Sequence, residues 1–214
     1  MKMNFSRLGL PLLTFLLIFG LHKAEAAMMI DDFTEYMWVQ NKESGSTPLH
    51  SNLGDIDRTL ETTESTNIIV LDGILALGSD GDIAGTMSVL YDFGSSGIDL
   101  DDRAVALLFN AYVVDGDVNL KFIAKDAGNN RSEFVMNNLT KGEHRIGFSE
   151  FSGSEDAFSQ LTSLELIFSG DPGWDAALVG GIMAVPEPSS FALLAIGLLA
   201  LTGVGRKRFA SLHA

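Results

Sequence analysis

Cysteine is absent from all 214 residues. That excludes disulfide staples, cysteine nucleophiles, CxxC redox chemistry and thiolate zinc sites. It is compatible with export, because a body of roughly 150 residues can bury a core without covalent help. Histidine is nearly absent as well, at positions 22, 50, 144 and 213 only. Two of these fall in terminal segments, which leaves His50 and His144 for chemistry. Positive charge is scarce too, with 14 basic residues against 28 acidic ones. Six of the basic residues (Lys2, Arg7, Lys23, Arg206, Lys207, Arg208) and two of the acidic ones (Glu25, Glu187) lie at the ends. The body between them holds 8 basic and 26 acidic residues, a net charge of about −18. So acidic a body repels nucleic acid and anionic lipid, and no nucleic-acid partner is expected.

The motifs of common enzymes are missing. There is no GxSxG elbow, no HExxH helix and no GxxxxGK[ST] phosphate loop. His144 falls on an apolar strand pattern, where a packed core histidine is the simpler reading, and His50 falls in a polar stretch. Carboxylates are so abundant that a glycosidase-like pair carries no signal in itself. The chain is read as non-enzymatic, with a polysaccharide-acting enzyme ranked last. No repeat of fixed period is visible, which argues against a solenoid or propeller.

The two ends are specific. Lys2 and Arg7 precede an apolar run at 8–21, and Ala24-Glu25-Ala26 offers small residues at the positions a signal peptidase inspects. Residues 1–26 are expected to be a signal peptide cleaved after Ala26. At the other end Val185-Pro186-Glu187-Pro188 precedes an apolar stretch at 191–205, closed by Arg206-Lys207-Arg208. Proline fixes its own φ and restricts its predecessor, so the opening of this tail is stiff and non-helical. A helix over 189–205 is short for about 30 Å of hydrocarbon, but snorkelling arginines lengthen its reach. The basic cluster would stay in the cytoplasm and the acidic body outside.

This order of motif, span and basic stop resembles the PEP-CTERM sorting signal of Gram-negative bacteria, a tail also known as the ice-binding-protein C-terminal domain. The resemblance implies cleavage near the motif by an exosortase. It implies passage through the inner membrane, then residence at the cell surface or in an extracellular polysaccharide matrix. Signal peptidase, exosortase and the membrane are the implied partners, with extracellular polysaccharide beside them. Ice binding is not expected, since no regular Thr-x-Thr array is present.

The body reads as all-β. Met87, Val89, Tyr91 and Phe93 alternate with Ser88, Leu90 and Asp92, and Val118, Leu120, Phe122 and Ala124 alternate with Asn119, Lys121 and Lys125. Phe134 and Met136, then His144, Ile146 and Phe148, then Leu164, Leu166 and Phe168 continue the period of two. Adding 29–39, 68–77 and 175–185 gives eight to ten strands, hence a single β-sandwich over 27–184 before the sorting signal at 185–210. Asp115-Gly116 is expected to turn a type I′ hairpin between 104–114 and the strand beginning at Val118. Residues 41–66 read as a mobile polar loop, and 150–160 as a loop with one helical turn.

Ile30-Asp31-Asp32-Phe33 at the start, Tyr91-Asp92-Phe93-Gly94 and Ile98-Asp99-Leu100 in the middle, and the strand–loop–strand ending resemble galactose-binding-like jelly rolls. These are common in carbohydrate-binding modules. The resemblance implies a structural calcium tying first to last strand, for which Asp31 or Asp32 with Asp175 are the candidates by position. No other cofactor is implied. Acidic turns at Asp80-Gly81-Asp82, Asp99 to Asp102 and Asp115-Gly116-Asp117 supply hard oxygens but lack the full DxDxDG loop with its distal Glu. For a glycan, Trp174 in the loop Gly170-Asp171-Pro172-Gly173-Trp174 is the leading contact candidate, because exposed loops carry function. Tyr36 and Trp38 share one strand face and come after it.

Overall fold

The computed structural model describes residues 27–187. Fourteen strands form two antiparallel sheets of seven strands each, the jelly-roll type of sandwich expected above. Sheet 1 runs β11 (Gly142–Gly147), β8 (Ala106–Asp115), β14 (Asp175–Val185), β6 (Ile74–Ser79), β5 (Thr66–Leu71), β2 (Met37–Gln40), with β1 (Met28–Asp31) also paired to β14. Sheet 2 runs β12 (Ser152–Gly153), β10 (Arg131–Met136), β9 (Val118–Asp126), β13 (Leu161–Gly170), β7 (Thr86–Asp92), β4 (Gly54–Thr62), β3 (Ser44–Ser51). Two short 3-10 turns, Phe148–Glu150 and Glu155–Phe158, flank β12. Among the described residues no helix is long and apolar enough to cross a membrane.

The alternation dictates the core. Met87, Val89 and Tyr91 of β7, Leu120 and Phe122 of β9, and Leu164, Leu166 and Phe168 of β13 have no exposed surface. Each such side chain contributes about 1.5–3 kcal/mol by leaving water. Phe109 and Phe122 meet across the two sheets with centroids 5.7 Å apart. At the β12 edge Phe148 stacks on Phe158 at 4.0 Å and Phe151 meets Phe158 edge-on. His144 is a packed side chain: its ring stacks on Phe109 at 5.1 Å and its Nε2 lies 2.7 Å from the Thr140 carbonyl.

Four sequence expectations change. Residues 41–66 are not a loop; they hold the β3–β4 hairpin, in register from Ser44↔Glu61 to Ser51↔Gly54. Only Leu49, Ile56 and Leu60 of its apolar residues are buried, so the alternation is sparse. Pro48 is tolerated because β3 is an edge strand. Asp115-Gly116 makes no hairpin, since β8 lies in sheet 1 and β9 in sheet 2; the positive φ of Gly116 turns the chain between layers instead. Residues 68–77 are two strands joined at Asp72-Gly73, both at positive φ, which is the backbone a type I′ turn needs. Residues 29–39 are likewise two strands, β1 and β2.

Candidate functional site

Three places on the sandwich are unusual. The first is buried. Arg58 of β4 has no exposed surface, and its Nη1 donates to Asp31 Oδ2 at 2.8 Å. Nη2 donates to the Glu35 carbonyl at 2.5 Å, and Tyr91 donates from its hydroxyl to the same Asp31 Oδ2 at 3.0 Å. Asp31 Oδ1 accepts the Phe33 N–H at 2.8 Å. Burial, then the Asp31 charge, raises the Tyr91 phenol well above its ordinary value. The cluster fastens β1 of one sheet to β4 and β7 of the other.

The second is a shallow, open groove of about 580 Å³ on the outer face of sheet 2. Glu61, Ser88, Asp92, Glu165, Lys125 and Asn129 supply its polar lining, and Leu90 lies among them. Asp92 opposes Asp57 on β4 and Ser163 on β13, so carboxylates meet across the ladder. Farther along this face Glu133 binds Lys121 at 2.6 Å and also Arg131. The Lys121 hydrogen bond, aided by the charges of Arg131 and Lys121, lowers the Glu133 carboxyl below its usual range.

The third is the outer face of sheet 1, which is apolar. The register places Trp38 opposite Ile69, Ile69 opposite Ala76, Ala76 opposite Ala177 and Ala177 opposite Val113. One step along the strands, Leu71 opposes Ile74 and Ile74 opposes Val179, and Tyr36 directly precedes β2. Tyr112 is 68% exposed, Tyr36 60%, Trp38 54%, Leu71 44% and Ile74 41%. One margin is polar: Gln40 opposes Asn67, Asn67 opposes Gly78, and Gly78 opposes Asp175, itself opposite Asp115. The Asp175 carboxylate occupies the space a side chain at 78 would take, 2.5 Å from that hypothetical Cβ. Partial burial, then the neighbouring Asp115 and Asp80, pushes the Asp175 carboxyl above its ordinary value.

The expected site residues land differently. Trp174 is no contact residue: it is fully buried, and its Nε1 donates to the Gly85 carbonyl at 3.4 Å. A ring without exposed surface cannot stack on a sugar. The indole fills a socket kept open by glycine, since a Cβ at Gly170 would lie 2.7 Å from the ring. Asp31, Asp32 and Asp175 are not brought together. Asp31 pairs with Ile182, seven residues along β14 from Asp175, or roughly 20 Å of strand. Asp31, Asp32 and Glu35 do place one oxygen each within 4.8 Å of one another. Even so, this group does not fit a calcium ion. Asp31 is already neutralised by Arg58, and Asp32 Oδ1 accepts from both the N–H and the hydroxyl of Thr34, which leaves this group well short of the six to eight oxygen ligands Ca²⁺ takes. Of the sorting motif, Val185 closes β14, and Pro186 and Glu187 follow it without regular structure. Pro188, Arg206, Lys207 and Arg208 lie outside the described residues, as do the signal peptide and the helix expected at 189–205.

Tyr36 and Trp38, expected to share one strand face, are both exposed at the edge of sheet 1's apolar outer face. A signal was available: 68–71 and 74–77 are apolar at both parities, which means a strand buried on both faces or apolar on its exposed one.

Residues 184–208 match the PEP-CTERM protein-sorting motif. No curated protein matches the chain. Among solved structures it is similar to the family 11 carbohydrate-binding module of the cellulosomal cellulase Lic26A-Cel5E of Clostridium thermocellum. The identity is 14%, over 78% of this chain and 99% of that one, with a TM-score of 0.44. It is also similar to the agarase AgWH50C, at 10% identity over 66% of this chain and 24% of that one, TM-score 0.43. A third is the family 11 xylanase from Neocallimastix patriciarum, at 10% identity over 69% of this chain and 98% of that one, TM-score 0.37. These are likenesses of fold, and the chain spans about a quarter of the agarase's length.

Proposed function

We propose that this chain is an exported, non-enzymatic surface protein, handed by its PEP-CTERM tail to an exosortase and displayed as a β-sandwich. The observation that carries the reading is where the sorting motif begins. The match opens at residue 184, and the Val185 carbonyl accepts the N–H of Val105 at 2.9 Å. A cut beyond Glu187 would therefore spare the sandwich's ladders. In this reading signal peptidase cleaves after Ala26, residues 27–184 are the displayed domain, and 185–210 are the sorting signal. A helix at 189–205 holds the inner membrane during sorting, with Arg206, Lys207 and Arg208 on the cytoplasmic side. The destination is the cell surface or polysaccharide matrix of a Gram-negative host. The test replaces Pro186, Glu187 and Pro188 by alanine and follows intact mass. Retention of residues 188–214 by the variant alone supports the reading; identical processing of both proteins contradicts it.

A second role for the displayed domain, polysaccharide binding, is favoured by its outer faces. One presents exposed aromatic and aliphatic side chains beside amides and a carboxylate, and the other a polar groove. Both suit polyhydroxylated chains, whose rings have apolar faces and hydrogen-bonding edges.

A further inference from the structure

We infer that the apolar outer face of sheet 1, rather than the groove on sheet 2, binds polysaccharide, and that its ligand is uncharged. The inference rests on the polysaccharide reading above and assigns that role a face and a ligand class.

The largest exposed apolar patch on a monomeric protein is often functional. From β2 to β8 the face crosses five strands, four steps of about 4.8 Å, or roughly 19 Å. Trp38 stands at the β2 end of a row whose aliphatic side chains run in register to Val113 of β8, and the exposed Tyr112 bulges beside Val113. The two rows from Trp38 to Val113 and from Leu71 to Val179 contain no charged residue. Charge selects the occupant. The surrounding body carries about −18, so an acidic glycan or anionic lipid would be repelled. A cationic partner would find most of its counter-charges on the groove and turns, since this face has carboxylates only at its margin, at Asp175 and Asp115.

Size bears on a second copy of the chain. The three aromatics, at 150–250 Å² each and more than half exposed, give with Leu71 and Ile74 about 500 Å². Two copies face to face would bury about 1,000 Å², the floor for a stable protein interface, and would bring two strongly acidic bodies together. A neutral sugar chain meets neither obstacle. Its rings lie on flat aromatic side chains, and its hydroxyls reach Gln40, Asn67 and Asp175 along the margin.

The test uses the processed protein recovered from its host and measures depletion from solution by microcrystalline cellulose, agarose beads and covalently cross-linked, calcium-free alginate beads. Binding to a neutral matrix, unchanged by added salt, and a fall of about tenfold for Trp38→Ala and for Tyr112→Ala are expected. Glu165→Gln in the groove is expected to bind as wild type. These positions are exposed, so unchanged thermal midpoints would show that folding is not the cause. If Glu165→Gln loses binding while the aromatic variants keep it, the face assignment fails and the polysaccharide reading stands. If only alginate binds, the uncharged class fails. If no matrix binds, both fall, and a concentration-dependent dimer abolished by Trp38→Ala would identify the occupant as a second copy.

Discussion

Removing Asp31 is the sharpest perturbation the fold offers. In Asp31→Ala the Arg58 guanidinium stays without exposed surface and loses the carboxylate at 2.8 Å. Only the Glu35 carbonyl then holds it, because Arg58 Nε already has no partner. Tyr91 loses the acceptor of its buried hydroxyl as well. Breaking a buried pair on one side costs about 3–5 kcal/mol, mostly from the charge left unpaired. The change belongs in urea unfolding, with the slope checked against wild type so that the midpoint shift reports stability. The companion variant Asp31→Leu with Arg58→Met removes both charges. It is expected to recover most of the loss, since replacing a whole buried pair by apolar groups is often neutral. A loss below about 1 kcal/mol for Asp31→Ala would refute the claim that this pair fastens the two sheets. So would a double variant as damaged as the single one.

Three further outcomes follow from the same structure. Trp174→Ala is expected to cost about 3–5 kcal/mol in the same urea assay, as for other buried aromatics, while leaving the glycan affinity of the folded fraction unchanged. Gly170→Ala is expected to lower the thermal midpoint markedly, because its Cβ would meet the Trp174 ring at 2.7 Å and the Asp117 carbonyl at 2.5 Å. Asp175 has its folded pKa raised, so the folded state holds that proton more tightly than the unfolded chain. Its contribution is present at low pH and is lost as pH rises through the raised value. Asp175→Asn should therefore raise the thermal midpoint at pH ~7, with the gain shrinking toward pH ~3.5, below the ordinary aspartate value. A constant difference across that range would contradict the assigned shift.

The strands that alternate cleanly were legible. Met87 to Phe93, Val118 to Phe122 and Leu164 to Phe168 bury one parity and leave the other more open, so period-two patterning located them. The hairpin of β3 and β4 was hidden by its edge position: a strand with solvent on its flank needs few apolar residues and tolerates Pro48. Asp115-Gly116 has the chemistry of a hairpin turn, but local backbone preference cannot say which sheet receives the next strand. The burial of Trp174 was hidden for a related reason. The Gly-Asp-Pro-Gly-Trp loop was legible as a loop, while the socket its Gly170 shares with Gly85 and Gly116 draws on segments far apart in the chain. The Asp31–Arg58 pair joins residues 27 apart across two sheets, and no local pattern announces it.

The most direct test of the account is the intact mass and cellular location of the protein in its own host, with and without the exosortase. The account predicts a surface or released form that begins at Ala27 and lacks the apolar tail 191–214 when the exosortase is present. Without it, an unprocessed, membrane-held form is predicted. A full-length, membrane-embedded protein in both strains would contradict the account.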